Sequence, residues 1–266
     1  MIDPAKVCLF IPGNLAGFKQ KLFGRIGAKI EAHGGRIVRT DASQLAKLPG
    51  DIIPIVGCQP ESTQNIARWR AEGRPWAYWD RGYARRVFAT WLPRGSDGGY
   101  YRWHMNSFQM QTIRDVPSDR WDALKQPLAP WAHNPDGHIV LAAGSPTYER
   151  FHRIEGWVKR TVDELRKYTK REIRVSDKET KEPLSDRIKS AHALVSHGSN
   201  AAVEAAIMGC PVFVCPDSAA ALIGQTDLSK IEAPIYPDRE AWVRSLAYCQ
   251  FNETELVDGT LWRLME

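Results

Sequence analysis

What this sequence lacks narrows the field first. No apolar run approaches the ~20 residues that a bilayer-spanning helix needs. The five cysteines, Cys8, Cys58, Cys210, Cys215 and Cys249, include no Cys-x-x-Cys pair, which argues against both a zinc site and a disulfide framework. Four of them lie in or beside apolar strands and read as buried thiols, as a reducing cytoplasm allows. No internal repeat or low-complexity tract is visible. The opening residues, Met1-Ile2-Asp3-Pro4-Ala5-Lys6, lead straight into a strand and have no signal-peptide pattern. The expectation is a cytoplasmic protein with no membrane partner.

Lysine is also missing from one long stretch. Between Ile66 and Trp121 stand ten arginines against five acidic residues and no lysine, an excess equal to the +5 of the whole chain. The same stretch holds six of the ten tryptophans. Arginine forks suit phosphates, and aromatic faces suit bases or sugar rings. A basic, aromatic stretch therefore fits DNA. It also fits a plain carbohydrate surface, and several of these tryptophans must be core.

At 266 residues and 43% hydrophobic content the chain can bury two modest α/β domains. Lys6–Ile11, Arg36–Arg39, 51–57 and 76–79 read as strands, with helices at about 16–33 and 62–72 between them. That alternation predicts a small doubly wound sheet. Ligands in such sheets gather beyond the carboxyl ends of the strands, where Gly13-Asn14, Gly57 and Asp80-Arg81-Gly82 fall. Residues 93–135 break the pattern. The run from Tyr100 to Gln109 reads as a strand or an irregular loop, and Pro117, Pro127, Pro130 and Pro135 suggest a linker. The alternation resumes with strands at 138–143 and 172–175, a helix at about 154–169 and a short one at 184–190. Helices near 238–248 and 253–264 close the chain. The expected division is an α/β domain at 1–130, a second α/β domain at 131–250, and a C-terminal helix at 251–266.

The most informative stretch runs from His192 to Pro216. Ala193-Leu194-Val195 is of strand type, Ser196-His197-Gly198-Ser199-Asn200 is a small polar turn, Ala201–Met208 is an Ala-rich helix, and Pro211-Val212-Phe213-Val214 is the next buried strand. Ser199 or Asn200 suits an N-cap and Gly209 a left-handed C-cap. Free N–H groups at a helix N-terminus attract phosphate, and a carboxylate at Glu204, one turn on, suits ribose hydroxyls. The same pattern also suits an ordinary α/β repeat with Glu204 facing water.

This segment resembles the donor-binding segment of glycosyltransferases of the GT-B fold. In that superfamily a small-residue turn meets the pyrophosphate of a nucleotide sugar, a Glu one turn later holds the ribose, and a Gly-x-Pro-Val step begins the next strand. The resemblance is firm over about 25 residues, and sugar epimerases of the same fold share the segment. It implies an α/β chain with two Rossmann-like domains facing a cleft, 1–130 on the acceptor side and 131–250 binding the nucleotide sugar. It also implies a nucleotide sugar (a UDP- or GDP-sugar) as co-substrate, with no permanently bound cofactor. Ser196, His197, Gly198, Ser199, Asn200 and Glu204 become donor-binding candidates. Gly144 and Ser145, after the first strand of the second half, join them, although a solvent turn is equally in keeping with those residues. Arg174 can pair with a diphosphate or with Glu172 or Asp177.

For chemistry, Asp80 at a strand end is the first candidate for the base that deprotonates an acceptor hydroxyl, and His104 the second. Asp80 also reads as a structural partner of an arginine, and His104 as a satisfied histidine among aromatics. Arg81, Arg85, Arg86, Tyr101, Arg102, Trp103, Asn106 and Gln109 are acceptor-binding candidates, with Tyr101 or Trp103 available to stack on a flipped base. No Asp-x-Asp pair appears, which fits metal-independent displacement. Three functions compete: transfer to a hydroxylated base in DNA, as bacteriophages perform; transfer to a surface glycan, or sugar epimerisation; and non-catalytic nucleic-acid binding.

Overall fold

The structure is a computed structural model. It describes residues 2–13, 17–84, 99–177 and 179–264, with the backbone alone for residues 17–20. The chain divides into two compact units, Met1–Phe108 with Tyr248–Glu266, and Gln109–Ala247. The first boundary therefore falls at Phe108 rather than near residue 130. The proline-rich stretch belongs to the second unit because its backbone is tied there: Ala129 N–H donates to the Ile207 carbonyl at 3.0 Å and Ala132 N–H to the Gly209 carbonyl at 2.8 Å.

The first unit is built on a six-stranded sheet. Strands β1 (Val7–Ile11), β2 (Arg36–Arg39), β3 (Ile53–Val56) and β4 (Ala77–Arg81) run parallel, with β1 between β2 and β3. Helices α1 (Gly17–Ala32) and α2 (Thr63–Ala71) make the crossovers. Leu22, Phe23, Ile26 and Ile30 of α1 share one face and join Val7, Leu9 and Ile11 in the core.

The sheet does not stay parallel. Strand β5 (Tyr100–Met105) lies antiparallel to β4, and β10 (Gln250–Asn252) lies antiparallel to β5, giving a mixed sheet where the sequence suggested a parallel one. On β5, Tyr101 and Trp103 enter the same core, against Trp79 at ring distances of 5.8 and 6.2 Å. Arg102 and His104 point to the other face and are buried too. The run alternates apolar Tyr101, Trp103 and Met105 with polar Arg102 and His104, yet the polar face is buried too, so the alternation does not mark a solvent face. The last stretch is two helices, α9 (Glu253–Asp258) and α10 (Thr260–Leu264), parted at Gly259 with φ +93°.

The second unit carries a four-stranded, wholly parallel sheet in the order β7-β6-β8-β9. The strands are β6 (His138–Ala142), β7 (Ile173–Ser176), β8 (Ala191–Ser196) and β9 (Val212–Val214). Its helices are α3 (Asp119–Leu124), α4 (Pro146–His152), α5 (Trp157–Leu165), α6 (Leu184–Ile188), α7 (Asn200–Ile207) and α8 (Glu240–Tyr248). Strand β6 is followed in the sheet by β7 on one side and β8 on the other, so the strand order reverses between β6 and β8. That reversal is where ligands settle in open α/β sheets. No helix among the described residues is long and apolar enough to cross a membrane.

Candidate functional site

Two turns meet at the carboxyl ends of β6 and β8. Gly144-Ser145 leads from β6 into α4. Ser145 is the N-cap, its hydroxyl accepting the Tyr148 N–H at 3.2 Å, with Pro146 just inside the helix. Ser196-His197-Gly198-Ser199 leads from β8 into α7, where the Ser199 hydroxyl accepts the Ala201 N–H at 3.3 Å. The buried Ser196 hydroxyl fastens one turn to the other: it donates to the Ala142 carbonyl at 3.2 Å and accepts the Ser199 N–H at 3.1 Å. Ser145, Ser196 and Ser199 thus shape the turns with their hydroxyls.

The α7 helix is prepared at both ends. Gly209, at φ +88°, stops it, and a Cβ there would overlap the Pro130 carbonyl oxygen. Buried Arg239 donates to the carbonyls of Ala206 and Ala129 and lies 3.7 Å over the Trp131 ring. A cation at the carboxyl end complements the helix dipole, leaving the positive end at the Ser196–Asn200 turn. Glu204 is half-buried on this helix, and Asn200 is buried at its first position.

A ring of aromatic side chains surrounds His197. The Tyr148 hydroxyl lies 3.2 Å from His197 Nδ1, and the His152 and Trp157 rings stand 5.7 and 6.1 Å from the imidazole. The Tyr148 ring lies 4.2 Å from that of His152, tilted by 42°. Burial holds the His197 pKa below the ordinary histidine value, with Asp217 opposing weakly, so the ring is neutral at pH 7. Sequence reasoning missed Tyr148, His152 and Trp157. The Ser145-Pro146 pair, an N-cap followed by proline at the first helical position, was the signal for α4 and the residues on it.

Gln109 stands here rather than at an acceptor surface. It is 3% exposed, its amide nitrogen donating to the Gly198 carbonyl at 2.6 Å and its oxygen accepting the Ala219 N–H at 2.9 Å. It is a clip that fixes the turn. Arg174 does not reach this end of the sheet. It pairs with Glu172 at 2.7 Å and approaches His138 Nε2 at 3.5 Å, beside a depression of about 470 Å³ formed at the amino ends of the strands. The Glu172 partner, one of the two weighed from sequence, is the one present.

The first unit assembles the other candidates differently. Asp80 accepts hydrogen bonds from the Arg81 N–H at 2.8 Å, from Arg102 at 3.0 Å and from the Tyr78 hydroxyl at 3.3 Å. Arg102 is 5% exposed and also lies over the Tyr83 ring at 5.2 Å, so it is not offered to a polyanion. His104 is buried, with its Nε2 2.8 Å from the Tyr83 hydroxyl. Tyr101 and Trp103 are core residues and present no stacking platform. Asn106 takes the left-handed conformation at φ +56° and closes a turn, its side chain accepting the Trp76 N–H at 3.0 Å. Arg81 is half-buried beside Asp80. Arg85 and Arg86, like Asn14, lie outside the described residues.

Among the described residues, no group of three His, Cys, Asp or Glu side chains is placed to hold a metal ion. Neither a protein-family model nor a curated protein matches the sequence. Solved structures do. The chain is similar to Thermosulfurimonas dismutans KpsC, beta Kdo 2,7 transferase, with TM-score 0.53 and 12% identity over 96% of this chain and 99% of that chain. It is similar as well to Thermosulfurimonas dismutans KpsC, beta Kdo 2,4 transferase, with TM-score 0.51 and 12% identity over 96% of this chain and 98% of that one. At this identity the likeness is one of fold: the chain has the α/β fold of GT-B-like glycosyltransferases.

Proposed function

We propose that the protein is a nucleotide-sugar-dependent glycosyltransferase whose donor binds at the carboxyl ends of β6 and β8, and that its acceptor is a saccharide hydroxyl rather than a base in DNA. The observation that carries the donor half is the pairing of two small-residue turns at the strand-order reversal, one of them opening α7 with Glu204 a turn behind. The likeness in fold to two Kdo transferases supports sugar transfer. The acceptor half draws support from the burial of Tyr101, Arg102 and Trp103, three of the residues on which the DNA reading relied.

In this reading the acceptor oxygen, losing its proton to a base, attacks the anomeric carbon as the bond to the diphosphate oxygen breaks. The positive end of α7 and His197 stabilise the charge that grows on the leaving group. Asp80 is the proposed base. His104, held by Tyr83, supports the β4–β5 network. Glu204 accepts hydrogen bonds from the ribose.

Release of nucleoside diphosphate from UDP- and GDP-sugars, measured with and without oligosaccharide or hydroxymethylated DNA, tests the proposal. Release that requires oligosaccharide supports it. Release that requires DNA moves the acceptor to nucleic acid, and no release with any acceptor overturns transfer.

A further inference from the structure

The donor turn holds one side chain whose hydrogen-bonding state is set by a neighbour. His197 is gripped at Nδ1 by the Tyr148 hydroxyl, and among the described residues its Nε2 has no hydrogen-bond partner. The neighbour is itself tightly placed. A Cβ on Gly144 would come within 2.6 Å of the Tyr148 ring, and one on Gly198 within 2.8 Å of its hydroxyl. Both turns thus carry glycine where Tyr148 crosses them. The His152 ring lies against that of Tyr148 at 4.2 Å, and Trp157 meets the imidazole edge-on.

A neutral imidazole has one N–H and one acceptor nitrogen, and the bond made by one nitrogen decides the state of the other. A phenol O–H is far more acidic than a neutral imidazole N–H, so the stronger arrangement has the phenol donating to Nδ1. The proton then sits on Nε2. A donor N–H in a turn at the positive end of a helix suits an anion, whereas a lone pair there would repel one.

We propose that Tyr148 is a positioning residue: its hydroxyl holds His197 as the Nε2–H tautomer, so that the donor turn presents a side-chain N–H to the diphosphate of the nucleotide sugar. The anion part rests on the donor-site reading above; the tautomer part does not. The groups that face His197 are Tyr148 and His152 from α4, Trp157 from α5, and Asp217 and Cys215 from the segment after β9, whose Cys215 N–H donates to the His197 carbonyl at 3.0 Å.

The test is histidine side-chain nitrogen NMR on the whole protein at pH 7.5, followed by titration with inorganic pyrophosphate. His197→Asn supplies the assignment, and Tyr148→Phe keeps the ring while deleting the hydroxyl. The expected wild-type spectrum shows an unprotonated Nδ1 and a protonated Nε2. In Tyr148→Phe the Nδ1 resonance moves to the position of a nitrogen that accepts no hydrogen bond. Pyrophosphate perturbs the wild-type Nε2 signal, and its affinity falls about tenfold or more in His197→Ala, as for loss of a bond to a charged group. In Tyr148→Phe the affinity falls several-fold. A protonated Nδ1 in the wild type overturns the tautomer assignment. A Tyr148→Phe protein with an unchanged spectrum and unchanged affinity overturns the positioning role. Failure of the wild type to bind pyrophosphate overturns the donor-site reading instead, and the nitrogen spectrum shows which of the two has failed.

Discussion

Two glycines eleven positions apart should respond differently to the same substitution. Gly209 ends α7 at φ +88°, and a Cβ would overlap the carbonyl oxygen of Pro130 and stand 3.1 Å from its carbon. Alanine there meets about 1–2 kcal/mol of left-handed strain and about 1–3 kcal/mol of overpacking against backbone that cannot turn aside. The expected loss for Gly209→Ala is about 2–5 kcal/mol. Gly198 has no such backbone strain. Its added Cβ meets the Tyr148 hydroxyl at 2.8 Å and the Gln109 amide nitrogen at 3.3 Å, both ends of side chains. Tyr148 can swing, and the reduced freedom of the unfolded chain returns about 0.4–1 kcal/mol. Gly198→Ala should therefore change stability by less than about 2 kcal/mol while displacing Tyr148 from His197 and weakening nucleotide binding. Urea unfolding with nucleotide titration reads both quantities. Equal destabilisation by the two variants, or full nucleotide affinity in Gly198→Ala, would refute the reasoning.

Glu204→Ala should weaken nucleotide binding by about 1.5–3 kcal/mol for each ribose bond lost, read by calorimetry with whichever nucleoside diphosphate binds; unchanged affinity removes the ribose role. Asp80→Asn should lower turnover about 10²–10⁴-fold at unchanged donor affinity. It should also destabilise the first unit, because Arg102 is left buried beside a neutral partner, by less than the ~3–5 kcal/mol of a fully buried pair since the Asp80 side chain is 35% exposed. Full turnover in that variant sinks the assignment. Burial lowers the pKa of both His138 and His197. The unfolded chain therefore binds protons that the folded one does not, and stability should fall as pH drops through the unfolded histidine value of about 6.5. Thermal unfolding at a series of pH values checks this, and a flat profile between pH 7.5 and 5.5 contradicts it. Retention of duplex DNA at low salt, with an affinity slope near −0.9 per phosphate neutralised, would restore the nucleic-acid reading.

The second unit was legible because its sequence is locally consistent. Apolar strands, Ser199 at the N-cap and left-handed Gly209 just past the helix end all point to one strand–turn–helix–strand unit. The first unit was less so. Strand β5 alternates polar and apolar residues but buries both faces, and β10 is only three residues long. Some acceptor candidates turned out to be buried for a related reason. Tyr101 and Trp103 look like a binding platform in sequence, where nothing distinguishes an exposed aromatic from a core one. Gln109 misled because a polar residue after a strand suggests surface, whereas its partners at Gly198 and Ala219 lie some 90 to 110 positions away. Tyr148 was missed because its importance comes from what it touches, and His197 is 49 residues on.

The most direct test of the donor-site claim is a thermal-unfolding screen of the wild type and Glu204→Ala against nucleoside diphosphates and their sugars. A ligand at 100 times its dissociation constant stabilises the folded state by about 2.7 kcal/mol. The account predicts that one nucleotide class and its sugar stabilise the wild type by about this amount, and that Glu204→Ala loses most of the shift. It is contradicted if no nucleotide or nucleotide sugar stabilises the wild type, or if the shift survives intact in Glu204→Ala.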